Sequence, residues 1–151
     1  MRGLSLKEII EFSEKIELES YEFYSKAKEL IDEEETKLLL TLLANEETGH
    51  YNHLRSLINK GNLTADELDA KLLLKEESLS QFVNTDKIEK GFSGKQILEI
   101  ALDREKKTEQ LYAMFMTLTD INVKVLKIFT DLRNQEKGHV SKIATRLKKH
   151  N

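Results

Sequence analysis

Glu17 and Tyr24, then Glu47 and His50, recur in this chain as Glu105 and Tyr112, then Glu136 and His139. The first two residues repeat at a separation of 88 and the last two at 89. Four carboxylates and two imidazoles, delivered by two matching halves, are the donor set of a site for two divalent metal ions. A metal charge of about +4 balances four carboxylates, and neutral imidazoles complete the coordination. One Glu-x-x-His in a Glu-rich chain carries little information. Two, both inside apolar stripes, carry much more.

The stripes make the argument physical. Toward the C-terminus the inward positions run Val125, Phe129, Leu132, Glu136, His139, Ile143 and Leu147, so Glu136 and His139 take two successive places on the apolar face. Glu47 and His50 do the same among Leu40, Leu43, Leu54 and Leu57. The i, i+3 spacing sets Glu and His a turn apart on one face. A buried carboxylate or imidazole without a partner is costly. Structural ion pairing is the competing explanation, but a shared pair of divalent ions accounts for both halves at once.

The remaining two helices offer several carboxylates each. Glu17 and Glu19 both lie at the margin of their stripe, and the repeat chooses between them: Glu17 matches Glu105, whereas Glu19 matches Lys107. Likewise Glu47 matches Glu136, whereas Glu46 matches Gln135 and falls outside the stripe. Tyr24 and Tyr112 lie two turns beyond Glu17 and Glu105 on nearly the same face. There a phenol either bonds a metal-bound carboxylate or serves as an ordinary core-edge aromatic. His53, on an outer face, and His150, near the end of the sequence, read as surface residues. Gly49 and Gly138 are unusual, because Gly inside a helix costs roughly 1 kcal/mol relative to Ala. Close approach of another backbone is one reason to find them there.

Four long amphipathic helices must position these groups. A capping box, Ser5 with Glu8, opens the first helix, whose face carries Ile9, Phe12, Ile16, Phe23, Ala27 and Leu30. The second opens at Asp32 with an acidic first turn, and Lys60-Gly61 forms its stop. A second capping box, Ser93 with Gln96, opens the third, with Ile97, Ala101, Thr108, Leu111, Phe115 and Leu118 on its face. The fourth starts near Asp120. Short connections make each pair an antiparallel hairpin. The stretch from Gly61 to Gly94 is long enough to cross a bundle, and Thr64 with Glu67 opens a short extra helix running to about Lys75. The expected architecture is all-α, a four-helix bundle of two hairpins forming a single domain over residues 1–151.

Composition agrees. The chain has 151 residues with no Pro, no Trp and 6 Gly, and 34% of them are charged, a profile of long helices with solvated faces. A net charge of −3 gives no basic footprint for nucleic acid. The absence of Cys excludes a disulfide or a thiolate metal centre within this sequence. No apolar run approaches the roughly 20 residues of a membrane span, and no signal-peptide core is visible. A cytoplasmic protein is expected.

The segments Glu17-x6-Tyr24, Leu43-Ala44-Asn45-Glu46-Glu47-x-x-His50-Tyr51, Glu105-x6-Tyr112 and Glu136-x-x-His139 resemble the ferritin-like di-iron carboxylate superfamily. The similarity is closest to rubrerythrin-like members that lack the rubredoxin domain. The resemblance implies two iron ions, with manganese or zinc also accepted by such ligands. It implies that Glu47 and Glu136 bridge the metals and act catalytically with them, that Glu17 and Glu105 are terminal ligands, and that His50 and His139 each hold one ion. It further implies an oxidoreductase, peroxidase-like, that reduces hydrogen peroxide or dioxygen with electrons from a separate donor such as a rubredoxin. A non-enzymatic iron-binding or storage protein is the alternative, although the chain lacks room for the fifth short helix of typical ferritin subunits. A homodimer is expected, and the long connection permits a domain-swapped one. Thr108 stands where rubrerythrins carry an extra Glu ligand, which implies a fixed, nearly two-fold symmetric site.

Overall fold

The structure, a computed structural model, describes residues 3–84, 87–118 and 121–150. Its long helices are α1 (Leu6–Glu29), α2 (Glu34–Asn59), α4 (Gly94–Met116) and α5 (Val123–Lys148), with a one-turn α3 (Ala65–Asp69) and a 3₁₀ segment (Glu76–Phe82) between α2 and α4. The expected capping boxes form at Ser5, Thr64 and Ser93, each hydroxyl accepting from the backbone three residues on while that residue's side chain returns to the cap. Gly61 takes φ +70 just past α2, the left-handed turn that ends a helix most cheaply at Gly.

Two boundaries differ from the sequence expectation. Asp32 is not the cap of α2; Glu33 is, and its carboxylate accepts from the Thr36 hydroxyl. The extra helix stops at Asp69 rather than near Lys75. Backbone pairing with the start of the chain wins there: Leu6 N–H donates to Ala70 O at 3.0 Å, Leu72 N–H to Leu4 O at 2.9 Å, and Leu4 N–H to Leu74 O at 2.9 Å. Asp120, the expected start of the fourth helix, lies outside the described residues; α5 begins at Val123 under an Asn122 cap.

α1 packs along α2 and α4 along α5, while α2 meets α5 and α1 meets α4 between the hairpins. The connection climbs the length of α1. Leu79, Ser80 and Val83 border a groove shared with Glu8, Phe12 and Lys15, and Asn84, Lys87 and Ile88 border another shared with Glu19, Glu22 and Phe23. At the far end His150, beside Gly94, sits 3.4 Å from Glu33, so α4 starts next to the α1–α2 turn and descends antiparallel to α1. His150 is therefore half-buried against Glu33 rather than a free surface residue, whereas His53 is exposed as expected.

Two apolar clusters fill the bundle. One, at the α1 N-terminal end, contains Ile9, Ile16, Leu54, Leu57, Leu111, Phe115, Phe129 and Leu132. The other contains Phe23, Ala27, Leu40, Leu43, Ile97, Ala101 and Ile143. Between them lies a layer of ionisable side chains. None of the described helices is long and apolar enough to cross a membrane.

Candidate metal centre

That layer consists of Glu17, Glu47, His50, Glu105, Glu136 and His139, each no more than 4% exposed. α1 and α4 contribute one Glu apiece, and α2 and α5 contribute a Glu and a His apiece. The side chains fall into two groups, Glu17, Glu47, His50 and Glu136 in one, and Glu47, Glu105, Glu136 and His139 in the other. Within each group one donor atom per residue lies within 4.8 Å of all the others. Glu47 and Glu136 belong to both groups, so all six sequence-selected residues meet and two are shared.

Both histidines turn Nδ1 toward the carboxylates. His139 Nδ1 lies 3.1 Å from Glu47, 3.4 Å from Glu105 and 3.7 Å from Glu136. His50 Nδ1 lies 3.1 Å from Glu136, 3.3 Å from Glu17 and 3.9 Å from Glu47. The two rings are nearly parallel, 13° apart in plane with centroids separated by 5.6 Å. Each Nε2 points the other way, that of His139 to Glu46 at 2.6 Å and that of His50 to Gln135 at 2.5 Å.

Tyr24 and Tyr112 are fully buried and act across the bundle. Tyr24 donates to Glu105 and Tyr112 to Glu17, both at 2.5 Å. Each phenol thus grips the carboxylate of the opposite hairpin rather than its own helix. Thr108 offers the centre nothing: its hydroxyl donates to the Arg104 carbonyl at 3.1 Å. Glu19, half-buried, lines a surface groove with Arg104, whose guanidinium covers the Phe23 ring at 4.6 Å.

The donor chemistry fits two divalent cations. Both oxygens of Glu47, both of Glu136, one of Glu105 and Nδ1 of His139 are buried without a hydrogen-bond partner. Native interiors rarely leave such groups unpaired, and those left are the lone pairs a cation would take. Protonation follows the same logic. Burial, then the charges of Glu136, Glu17 and Glu105, pushes Glu47 well above the usual carboxylate range. Burial and the charges of Glu105 and Glu17 do the same to Glu136. Burial acts to raise Glu105 too, but contact with Glu136 and His139 prevails and holds it low. Burial acts to lower both histidines, yet the facing carboxylates lift His50 to about 9 and His139 further. Protons occupy the cluster where cations would neutralise it.

Sequence reasoning missed Glu46 and Gln135 as histidine partners. The signal was present, since both halves place a side-chain carbonyl acceptor immediately before the shared Glu. Both were set aside because they lie outside the apolar stripe, but an imidazole reaching inward from α2 or α5 sends its second nitrogen toward the stripe's edge. Gly49 and Gly138 are not explained by backbone approach: a Cβ on either would meet nothing within 4 Å.

Comparison with known proteins bears on the fold. The rubrerythrin family model matches residues 1–58. No curated protein sequence matches the chain significantly. Among solved structures, a protein of Thermotoga maritima described as a candidate ferritin-like diiron-carboxylate protein superposes with a TM-score of 0.81. That match is 24% identical and covers 100% of this chain and 99% of that one. The chain therefore has the ferritin-like fold, with a rubrerythrin match over its first hairpin.

Proposed function

We propose that the six-residue layer holds two iron ions and that the protein is an oxidoreductase reducing hydrogen peroxide or dioxygen. The observation that carries this reading is the pair of donor groups sharing Glu47 and Glu136, with buried oxygens that no protein donor satisfies. Glu47 and Glu136 would bridge, Glu17 and Glu105 would be terminal, and His50 and His139 would each complete one position. Two ferrous ions, when bound, supply one electron each at adjacent positions, the two electrons needed to split the O–O bond of peroxide. With two protons, that reduction yields two waters.

The chain's own residues supply the remaining requirements. Apolar layers on both sides of the centre exclude bulk water, which strengthens every electrostatic contact within it. Tyr24 and Tyr112 fix the terminal carboxylates and keep a phenolic proton on each, since burial and the neighbouring Glu charges raise both phenols well above their ordinary value. The sequence has no Cys for a thiolate iron centre of its own, and a separate electron donor such as a rubredoxin is proposed.

Anaerobic ferrous loading followed by rapid mixing with peroxide and with dioxygen tests the proposal. Fast oxidation of two irons per chain by either oxidant is expected. Reduced protein that reacts with neither would refute the enzymatic reading. Size-exclusion chromatography separates the alternatives: a dimer is expected, and a shell of many subunits would favour iron storage.

A further inference from the structure

The two halves of the centre match in all six metal-facing residues and both tyrosines, and differ in the partner behind each imidazole. The repeat pairs Glu46 with Gln135, and these two are the groups behind the imidazoles. His139 Nε2 faces a carboxylate oxygen of Glu46 at 2.6 Å; His50 Nε2 faces the carboxamide oxygen of Gln135 at 2.5 Å. With Nδ1 of both rings turned to the ligand cluster, a ring that gives Nδ1 to a metal would keep its proton on Nε2 and donate it outward. The other Glu46 oxygen lies 3.5 Å from Lys142 Nζ, which anchors the carboxylate in place. Gln135 is a neutral amide and carries no charge for a lysine to pair with.

An imidazole that donates to a carboxylate is a stronger metal ligand than one that donates to an amide. Such outer partners typically change metal affinity by about 10–100-fold. We propose that Glu46 and Gln135 are positioning residues that make the two metal positions unequal. The position built on Glu47, Glu105, Glu136 and His139 takes its divalent ion first and holds it more tightly. The position built on Glu17, Glu47, His50 and Glu136 fills second. The expected two-fold symmetry thus holds for the inner ligands and fails one bond outward. This inference rests on the two-metal reading above.

The test is a stepwise Co(II) titration of chelator-treated protein against a competing indicator, read by visible absorption at fixed pH. Wild type is expected to bind two ions in steps separated by about tenfold or more beyond the statistical factor. Mutual repulsion of two bridged ions would also separate the steps, so the variants decide. E46Q places an amide behind both rings and should weaken the first step by about tenfold, bringing the two together. Q135E places a carboxylate behind both and should tighten the second step, again closing the gap. Both swaps are isosteric, and circular dichroism verifies the fold. A gap unchanged in both variants would overturn the inference while leaving the two-metal reading intact. Binding of fewer than two ions by wild type would instead remove the two-metal reading itself.

Discussion

The phenol of Tyr112, on α4, donates across the bundle to Glu17 of α1 at 2.5 Å. Its counterpart Tyr24, on α1, does the same to Glu105 of α4. Each hairpin therefore supplies the donor that steadies the other's carboxylate. Replacing either Tyr by Phe leaves a buried carboxylate oxygen without that donor, which costs about 1–3 kcal/mol. Urea unfolding of the Phe variants should show a loss in that range, with binding of two metals retained. Stability unchanged in both would mean the phenols are passive packing groups.

Removal of the shared carboxylates should act differently. Glu47→Ala together with Glu136→Ala takes away the residues common to both donor groups. Metal analysis should fall from about two ions per chain to none, while the metal-free fold is retained or gains stability. Burial and the neighbouring carboxylates raise the proton affinity of both residues, so the native metal-free state bears a strain that Ala removes. Two ions still bound would refute the ligand assignment.

Metal-free protein should lose stability with rising pH. Burial works to lower His50, but Glu17 and Glu47 lift it from 6.5 to about 9. A group raised on folding stabilises fully below its unfolded value and ceases to do so as pH passes its folded value. The window for His50 is pH 6.5 to 9, and the raised Glu47 and Glu136 act with the same sign from lower pH. Thermal midpoints of chelator-treated protein should fall across that window. Metal must displace these protons, so Zn(II) added at neutral pH should release protons into weak buffer.

Gly49 and Gly138 lie within α2 and α5 with open space where a Cβ would stand. Ala at either position should stabilise by about 1 kcal/mol, through helix propensity and a less flexible unfolded chain. Denaturation midpoints of the single variants measure this directly. A loss would point to a partner surface that needs both helices smooth there.

Gly3 is the opposite case. A Cβ there would stand 1.8 Å from the Leu72 carbonyl oxygen, a backbone atom that cannot swing aside. Gly3→Ala should break the pairing of Leu4 with Leu72 and Leu74, seen as faster hydrogen exchange at the Leu4 and Leu72 amides. Exchange at Leu43 and Leu132, inside the long helices, should not change.

The helices and their inward residues were legible because 3.6-residue periodicity and capping chemistry are local signals. Ser5, Thr64 and Ser93 announced their helices directly. The internal repeat added long-range information, assigning Glu17 and Glu105 to the two ends of one centre although they stand 88 residues apart. What escaped was set by contacts between distant segments. The path of Ala70–Leu74 depends on pairing with Leu4 and Leu6, and no local pattern in the connection announces it. The roles of Glu46 and Gln135 depend on how α2 and α5 face each other. Arg104, buried on Phe23, falls opposite no ionisable residue in the repeat and gave no sign of itself.

The ionisable layer that divides the apolar core also acts as a register mark between the hairpins. Hydrocarbon surfaces alone tolerate sliding, since one Leu packs on another much as on its neighbour. Moving α1 against α4 by one helical turn, about 5.4 Å, would carry Glu17 off Tyr112 and toward the leucine-rich cluster. A displaced buried carboxylate costs several kcal/mol, far more than any leucine gained by slipping. Polar groups inside coiled coils select alignment in the same way, at some expense in stability. One alignment of the two hairpins leaves no carboxylate against hydrocarbon, and it is the alignment that assembles the centre.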